Sequence, residues 1–196
     1  MKHFITFEGI DGSGKSTITK MVYEKLKKEG YDVVLTYEPT DSPIGKYVQA
    51  CIKNKSDPYV TSFAFIADRV IHCIEIKKWL KEGRIILCDR YADSTYAYQG
   101  AQLESTLDDP IRWLQDLSED LIITPDRTFL LIIEPEKALK RITNRKELIP
   151  FETLSFLRKV HMNYIKLSSK NQRYRIIDAN KSIEEITEEC YQDITS

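Results

Sequence analysis

Phe4-Ile5-Thr6-Phe7-Glu8-Gly9-Ile10-Asp11-Gly12-Ser13-Gly14-Lys15-Ser16-Thr17 decides the fold. Residues 3–7 form a short apolar run of β-forming residues closed by Glu8-Gly9, which predicts a buried strand. Downstream, Ile18, Met21, Val22, Tyr23 and Leu26 recur at helical spacing opposite a lysine-rich face, and Gly30 supplies a C-cap. Between strand and helix stands G-x-x-x-x-G-K-S, from Gly9 to Ser16. Glycines in such a loop let successive backbone N–H groups converge on phosphate oxygens, and the helix N-terminus adds its positive dipole end. Gly9, Ile10, Asp11, Gly12, Ser13, Gly14, Lys15, Ser16 and Thr17 are therefore expected to cradle a nucleoside triphosphate. Lys15 is expected at the β- and γ-phosphates, and the Ser16 hydroxyl on Mg²⁺.

The same alternation continues along the chain. Strands are expected at residues 33–36, 85–88, 129–133 and 174–177, short and without polar alternation, as in a parallel sheet covered on both faces. Helices are expected at 43–52, 61–80, 109–118, 135–145, 154–168 and 182–194. The whole reads as one α/β domain, a doubly wound, parallel, five-stranded sheet. The longest helix, 61–80, carries apolar residues on more than one stripe, so it is expected to bury two faces, the second inside the fold or against another subunit.

Composition narrows the partners. The 196 residues are 42% hydrophobic and 30% charged with a net charge of −1, so no global basic field attracts nucleic acid. Cys51, Cys73, Cys88 and Cys190 are scattered, without C-x-x-C spacing and away from His3, His72 and His161, which suggests reduced thiols rather than zinc. The N-terminal apolar stretch does not read as a signal peptide, and no apolar run could span a bilayer. A cytoplasmic protein without membrane partners is expected.

A phosphate cradle does not name a reaction. Asp89-Arg90 follows a predicted core strand, where ligands of open α/β sheets gather and where a carboxylate can serve Mg²⁺. A capping Asp before a surface Arg is the competing reading. Asn54-Lys55-Ser56-Asp57 has the N-K-x-D pattern of guanine recognition, but it follows a helical segment and precedes the 85–88 strand. It reads as a polar turn between helices, which argues against a GTPase.

Four segments together resemble thymidylate kinases: residues 4–17, Glu38-Pro39, Phe65-Ile66-Ala67-Asp68-Arg69, and Asp89-Arg90-Tyr91-Ala92-Asp93-Ser94-Thr95-Tyr96-Ala97-Tyr98-Gln99-Gly100. The resemblance implies the nucleoside monophosphate kinase version of the fold and the reaction ATP + dTMP → ADP + dTDP, for dTTP synthesis. It implies that Phe65 stacks on thymine while Arg69, on the same helix face, donates to a base carbonyl. It assigns Arg90 to the dTMP phosphate, Asp11 to the sugar 3′-hydroxyl and Pro39 to the pocket edge. Ser94, Thr95, Tyr98 and Gln99 line the thymidine pocket in this reading, with Tyr98 crowding the 2′ position. Ser94 has a second reading as a helix N-cap.

The first loop carries no arginine between Gly9 and Lys15, so the resemblance is to the type that supplies transition-state charge from a lid, here residues 141–151. Arg141 and Arg145, with Lys146 beside them, are the catalytic candidates together with Lys15 and Arg90. A solvated basic helix end is the competing reading. Asp178-Ala179-Asn180 resembles the loop that brackets adenine. The metal candidates are Ser16 and Asp89. A homodimer through the 61–80 helix is implied, as the family commonly forms one. Another acceptor, such as dUMP or a deoxynucleoside, and a nucleotide-dependent switch remain as alternatives.

Overall fold

The five apolar runs pair, and all of them pair in parallel. In the computed structural model, which describes residues 2–143, 153–169 and 171–196, β1 (Phe4–Glu8), β2 (Val33–Tyr37), β3 (Ile85–Asp89), β4 (Arg127–Ile132) and β5 (Tyr174–Asp178) form one sheet in the order β2-β3-β1-β4-β5. The three central strands are apolar almost throughout because both of their faces are covered; Ile5, Phe7, Ile86, Leu87, Phe129 and Leu130 have no exposed surface. Of the edge strands, β2 alternates in burial, and β5 is mostly exposed with Ile177 buried.

The helices are α1 (Lys15–Lys28), α2 (Pro43–Lys53), α3 (Pro58–Lys81), α4 (Ala92–Leu103), α5 (Pro110–Ser118), α6 (Pro135–Thr143), α7 (Leu154–Ser168) and α8 (Ile183–Thr195). The β1-to-β2 crossover runs across the sheet in one direction, while β2-to-β3, β3-to-β4 and β4-to-β5 run in the other. Right-handed crossovers then put α1 on one face, where it packs with α8, and α3, α4 and α7 on the opposite face.

Most expected elements are present within a few residues. α3 begins earlier than expected, because the Asp57 carboxylate accepts from the Tyr59 N–H at 2.8 Å and Pro58 occupies the first turn. The N-K-x-D segment is the turn between α2 and α3: Asn54 is the C-cap of one helix and Asp57 the N-cap of the other. The expected end of the 135–145 helix lies outside the described residues. One helix, α4, was not expected from periodicity. Ten of its twelve residues are buried, among them Asp93, Ser94, Thr95 and Gln99, so it carries no apolar stripe to detect. Gly100 lets α4 lie close to α5 and α7, since a Cβ there would meet the Ile111 side chain at 3.2 Å.

Leu87 tests the centre of the sheet, because it lies between Ile5 of β1 and Leu35 of β2 with no exposed surface. Leu87→Ala is expected to cost about 2–5 kcal/mol in urea unfolding. A loss well below about 1 kcal/mol would mean that this strand is not the packed centre.

Candidate functional site

The phosphate loop leaves the carboxyl end of β1 and enters α1. Three glycines within it have positive φ, Gly9 at 146°, Gly12 at 82° and Gly14 at 92°, a region that side-chain-bearing residues rarely adopt. Gly12 also lies against α6, and a Cβ there would stand 2.4 Å from the Ala138 carbonyl oxygen. Gly14 is the N-cap of α1 and has no side chain to cap the first turn, whose N–H groups therefore remain available to an anion. Ser16 and Thr17 are exposed on that turn. Lys15 is buried; its Nζ donates to the Ile10 carbonyl at 3.3 Å and lies 3.7 Å from Asp11. Burial, and then Arg90, lower the Lys15 ammonium to about 8 against the pull of Asp11, Asp89 and Glu8.

Beside this loop, at the end of β3, the chain turns at Arg90 with φ 70° and starts α4. The Arg90 guanidinium donates to Asp11 and, at 3.0 Å, to Ser94 Oγ, and it lies over the Tyr98 ring at 5.2 Å. Tyr98 donates its hydroxyl to Asp11 Oδ2 at 2.9 Å and accepts from the Asp11 N–H at the same distance. Burial works against the Asp11 charge, but Arg90, Lys15 and the Tyr98 bond outweigh it and hold its carboxyl down at about 2.

A cleft opens from this cluster between α2, α3 and α4. Asp11, Pro39, Phe65, Arg69, Arg90, Ser94, Tyr98 and Gln99 line it, joined by Glu38, Ile52 and Tyr91. Thr95 does not line the cleft; its hydroxyl accepts from Arg69 Nη2 at 2.9 Å. Arg69 is fully buried. Glu38 accepts from its Nε at 2.8 Å, and the Tyr91 carbonyl from its Nη2 at 3.2 Å. His72 joins Glu38 Oε1 at 3.0 Å to Thr36 Oγ1 at 2.8 Å. With Arg69 so held, its buried Nη1 has no partner, and neither does the buried Gln99 Oε1. A donor and an acceptor in a cleft beside the half-buried Phe65 ring suit a flat base with exchangeable N–H and carbonyl groups.

Ser94 is not an N-cap. Tyr91 holds that position, and Ser94 lies inside the first turn of α4, where its hydroxyl serves Glu8 and Arg90. Glu8, Glu38, Ile52, Tyr91 and Tyr164 received no role in the sequence reading, although Glu8, Glu38 and Tyr91 stand in segments it singled out. An acid closing an otherwise apolar central strand was the available signal for Glu8. Glu8 is fully buried and accepts from the Tyr91 N–H at 2.7 Å, Ser94 Oγ at 2.6 Å and Tyr164 Oη at 2.9 Å. Burial raises its carboxyl to about 7, with Asp93 adding to the effect and Ser94, Arg90 and Tyr164 opposing it.

On α6, Arg141 donates to the Gly12 carbonyl at 3.5 Å and to the Ala179 carbonyl at 3.2 Å. It thus joins the phosphate loop to the segment Asp178-Ala179-Asn180. Arg145, Lys146 and most of the 141–151 segment lie outside the described residues. Asp89 ends β3, and its buried Oδ1 has no hydrogen-bond partner, which suits a cation or a water bound to one. Among the described residues no three His, Cys, Asp or Glu side chains gather as a metal site. Nucleotide-bound Mg²⁺ asks for less, one or two carboxylates beside the phosphates, and Asp89 with the exposed Ser16 hydroxyl fits that demand.

Comparison with known proteins points the same way. The family model described as thymidylate kinase matches residues 7–190. A probable thymidylate kinase of Methanosarcina acetivorans is 40% identical over 193 residues, covering 97% of this chain and 94% of its own. One from Sulfolobus acidocaldarius is 40% identical, covering 98% and 96%. A thymidylate kinase of Halothermothrix orenii is 37% identical, covering 97% and 95%.

The Asp11 carboxylate gives a pH signature. Its folded pKa lies below the ordinary value of 3.8, so its stabilising contribution is present above pH ~4 and is lost as pH falls towards about 2. Asp11→Asn is expected to lower stability at pH 7, and the gap from wild type should shrink as pH falls through that window. Urea titrations at several pH values check this; a gap independent of pH would contradict it.

Proposed function

Because this chain belongs to the thymidylate kinase family and phosphorylates dTMP to dTDP, we propose that the cleft beside the phosphate loop is where dTMP binds and that Arg90 holds its phosphate against the γ-phosphate of ATP. The observation that carries this reading is the position of the Arg90 guanidinium. It stands between Asp11 of the phosphate loop and Ser94 of α4, and it lines the cleft together with Phe65, Tyr91 and Tyr98. Two anions must meet there, and a cation between them offsets their repulsion.

In this reading residues 9–17 hold the ATP phosphates. Phe65 stacks on thymine, and Arg69 Nη1 and Gln99 Oε1 meet its carbonyl and N–H. Thr95 holds the Arg69 fork, Pro39 edges the pocket, and Ser94 steadies Arg90. Tyr98 crowds the 2′ position, and Asp11 takes the 3′-hydroxyl. Mg²⁺, held by Ser16 and Asp89, would neutralise phosphate charge when bound. An oxygen of the dTMP phosphate attacks the γ-phosphorus in line, and the bond to the bridging oxygen of ADP breaks. The acceptor is ionised at neutral pH, so no protein base is needed. Lys15 and Arg90 act by position and charge.

The loop holds Gly12 and Ser13 where an arginine could have stood. We therefore assign the remaining charge to a lid at residues 141–151 of this single domain, from Arg141 or Arg145. Support for Arg141 is its bond to the Gly12 carbonyl, which keeps it at the loop. A homodimer through α3 is part of the same proposal. Val60, Phe63, Ile71 and Ile74 leave an apolar stripe on that helix, and Ile74 is 67% exposed. No helix among the described residues is long and apolar enough to cross a membrane. A cytoplasmic location is part of the same proposal, and the four buried, free cysteines support it.

A coupled ADP-release assay with dTMP, dUMP and thymidine as acceptors tests the proposal. ADP release that requires an acceptor phosphate is expected, and equal release with thymidine would refute the Arg90 assignment. Arg90→Ala is expected to lower turnover ~10³-fold, and near-normal turnover would end that role. Ile74→Asp is expected to shift the protein to monomers in sedimentation, and an unchanged dimer would remove α3 from the interface.

A further inference from the structure

Arg90 is held in an unusual backbone conformation, and the groups that hold it belong to the end of β1. Its φ of 70° is in the left-handed region, costly for a residue with a side chain. Its own N–H donates to the Phe7 carbonyl at 3.0 Å. The next N–H, that of Tyr91, donates to Glu8 Oε1 at 2.7 Å. Two consecutive residues of one strand therefore pin the backbone on both sides of the Arg90 side chain.

Glu8 also decides which way the Ser94 hydroxyl faces. An arginine only donates, so Ser94 Oγ must accept from Arg90 Nη1, which lies 3.0 Å away. It can do so while its own proton is given elsewhere, and Glu8 Oε2 takes that proton at 2.6 Å. The Tyr164 hydroxyl donates to the same Glu8 oxygen at 2.9 Å, which ties α7 to the arrangement. Three donors face this carboxyl, and only its ionised form accepts from all of them at once, since a proton on either oxygen would compete with one of them. A glutamine of the same shape would direct an N–H at two of them.

We infer that Glu8 is a positioning residue for phosphoryl transfer: through the Tyr91 N–H and the Ser94 hydroxyl it sets the place of the Arg90 guanidinium, and through Tyr164 it makes that place depend on α7. The inference rests on the assignment of Arg90 to the acceptor phosphate. Misplacement by about 1 Å at such a centre can cost ~10²-fold in rate.

The test is a double-mutant cycle in the dTMP-dependent assay, with folding checked by circular dichroism and urea unfolding. Glu8→Gln is expected to lower kcat/KM for dTMP ~10²-fold with little change in KM for ATP. In an Arg90→Ala background the same change should cost almost nothing further, because there is no guanidinium left to place. Tyr164→Phe, which removes one donor and keeps the ring, is expected to give a smaller loss with the same non-additivity. It keeps the inference testable if Glu8→Gln does not fold. Losses that multiply fully with Arg90→Ala would make Glu8 a structural residue only and overturn the inference, as would wild-type kinetics for both Glu8→Gln and Tyr164→Phe. Near-normal turnover of Arg90→Ala alone would instead refute the assignment on which the inference rests.

Discussion

The parallel register of β1 on β3, with Phe7 opposite Asp89, is the constraint on which the site depends. The two strands end within one residue of each other, so the loop after Glu8 and the turn after Asp89 emerge side by side. The first residue beyond β3 is then close enough for its N–H to bond the Phe7 carbonyl, and its guanidinium reaches Asp11 in the neighbouring loop. A slip of one residue would turn each side chain to the other face of the sheet and separate Arg90 from the phosphate loop. Both strands are buried on both faces, so such a slip would also expose or overpack the core.

Around this register the molecule holds several buried charges, each supplied with partners. Glu38 is shared by Arg69 and His72. Asp93 pairs with both terminal nitrogens of Arg173 at 2.9 and 2.6 Å. Asp68 accepts from the Thr40 N–H, the Thr40 hydroxyl and the Ser42 hydroxyl, which fixes the entry to α2. A buried charge that loses its partner costs far more than a pair contributes, so these networks specify one arrangement of α2, α3 and α4. What they leave open is informative: an Arg69 nitrogen, a Gln99 oxygen and an Asp89 oxygen remain unbonded, and the first two belong to residues that line the cleft.

The other side of the phosphate loop is built by close approach. α6 rests on the phosphate loop at Gly12, where no Cβ fits, and Arg141 spans from that loop to Ala179 after β5. The loop proposed for the phosphates and the segment that resembles an adenine-bracketing loop are therefore joined through one helix, and that helix leads into the proposed lid.

The sequence by itself determined the strands, most helices and the phosphate loop, because each is written in local signals: apolar runs, helical spacing, and glycines where the backbone must turn. The resemblance to thymidylate kinases rested on short contiguous segments, and the fold brings the pocket residues it named to the cleft, except Thr95, which instead holds Arg69. Only the tertiary structure decided the rest. Periodicity passed over α4 because a helix buried on nearly every side has no polar face to contrast with an apolar one. Ser94 looked like a cap because its type suits one, yet its partners, Glu8 and Tyr164, lie on β1 and α7. Glu8 and Glu38 had no role until the sheet placed them beside Tyr91 and Arg69, 83 and 31 residues away in the chain. A hydrogen bond between residues far apart in sequence leaves no local pattern, since its geometry exists only once the strands have paired.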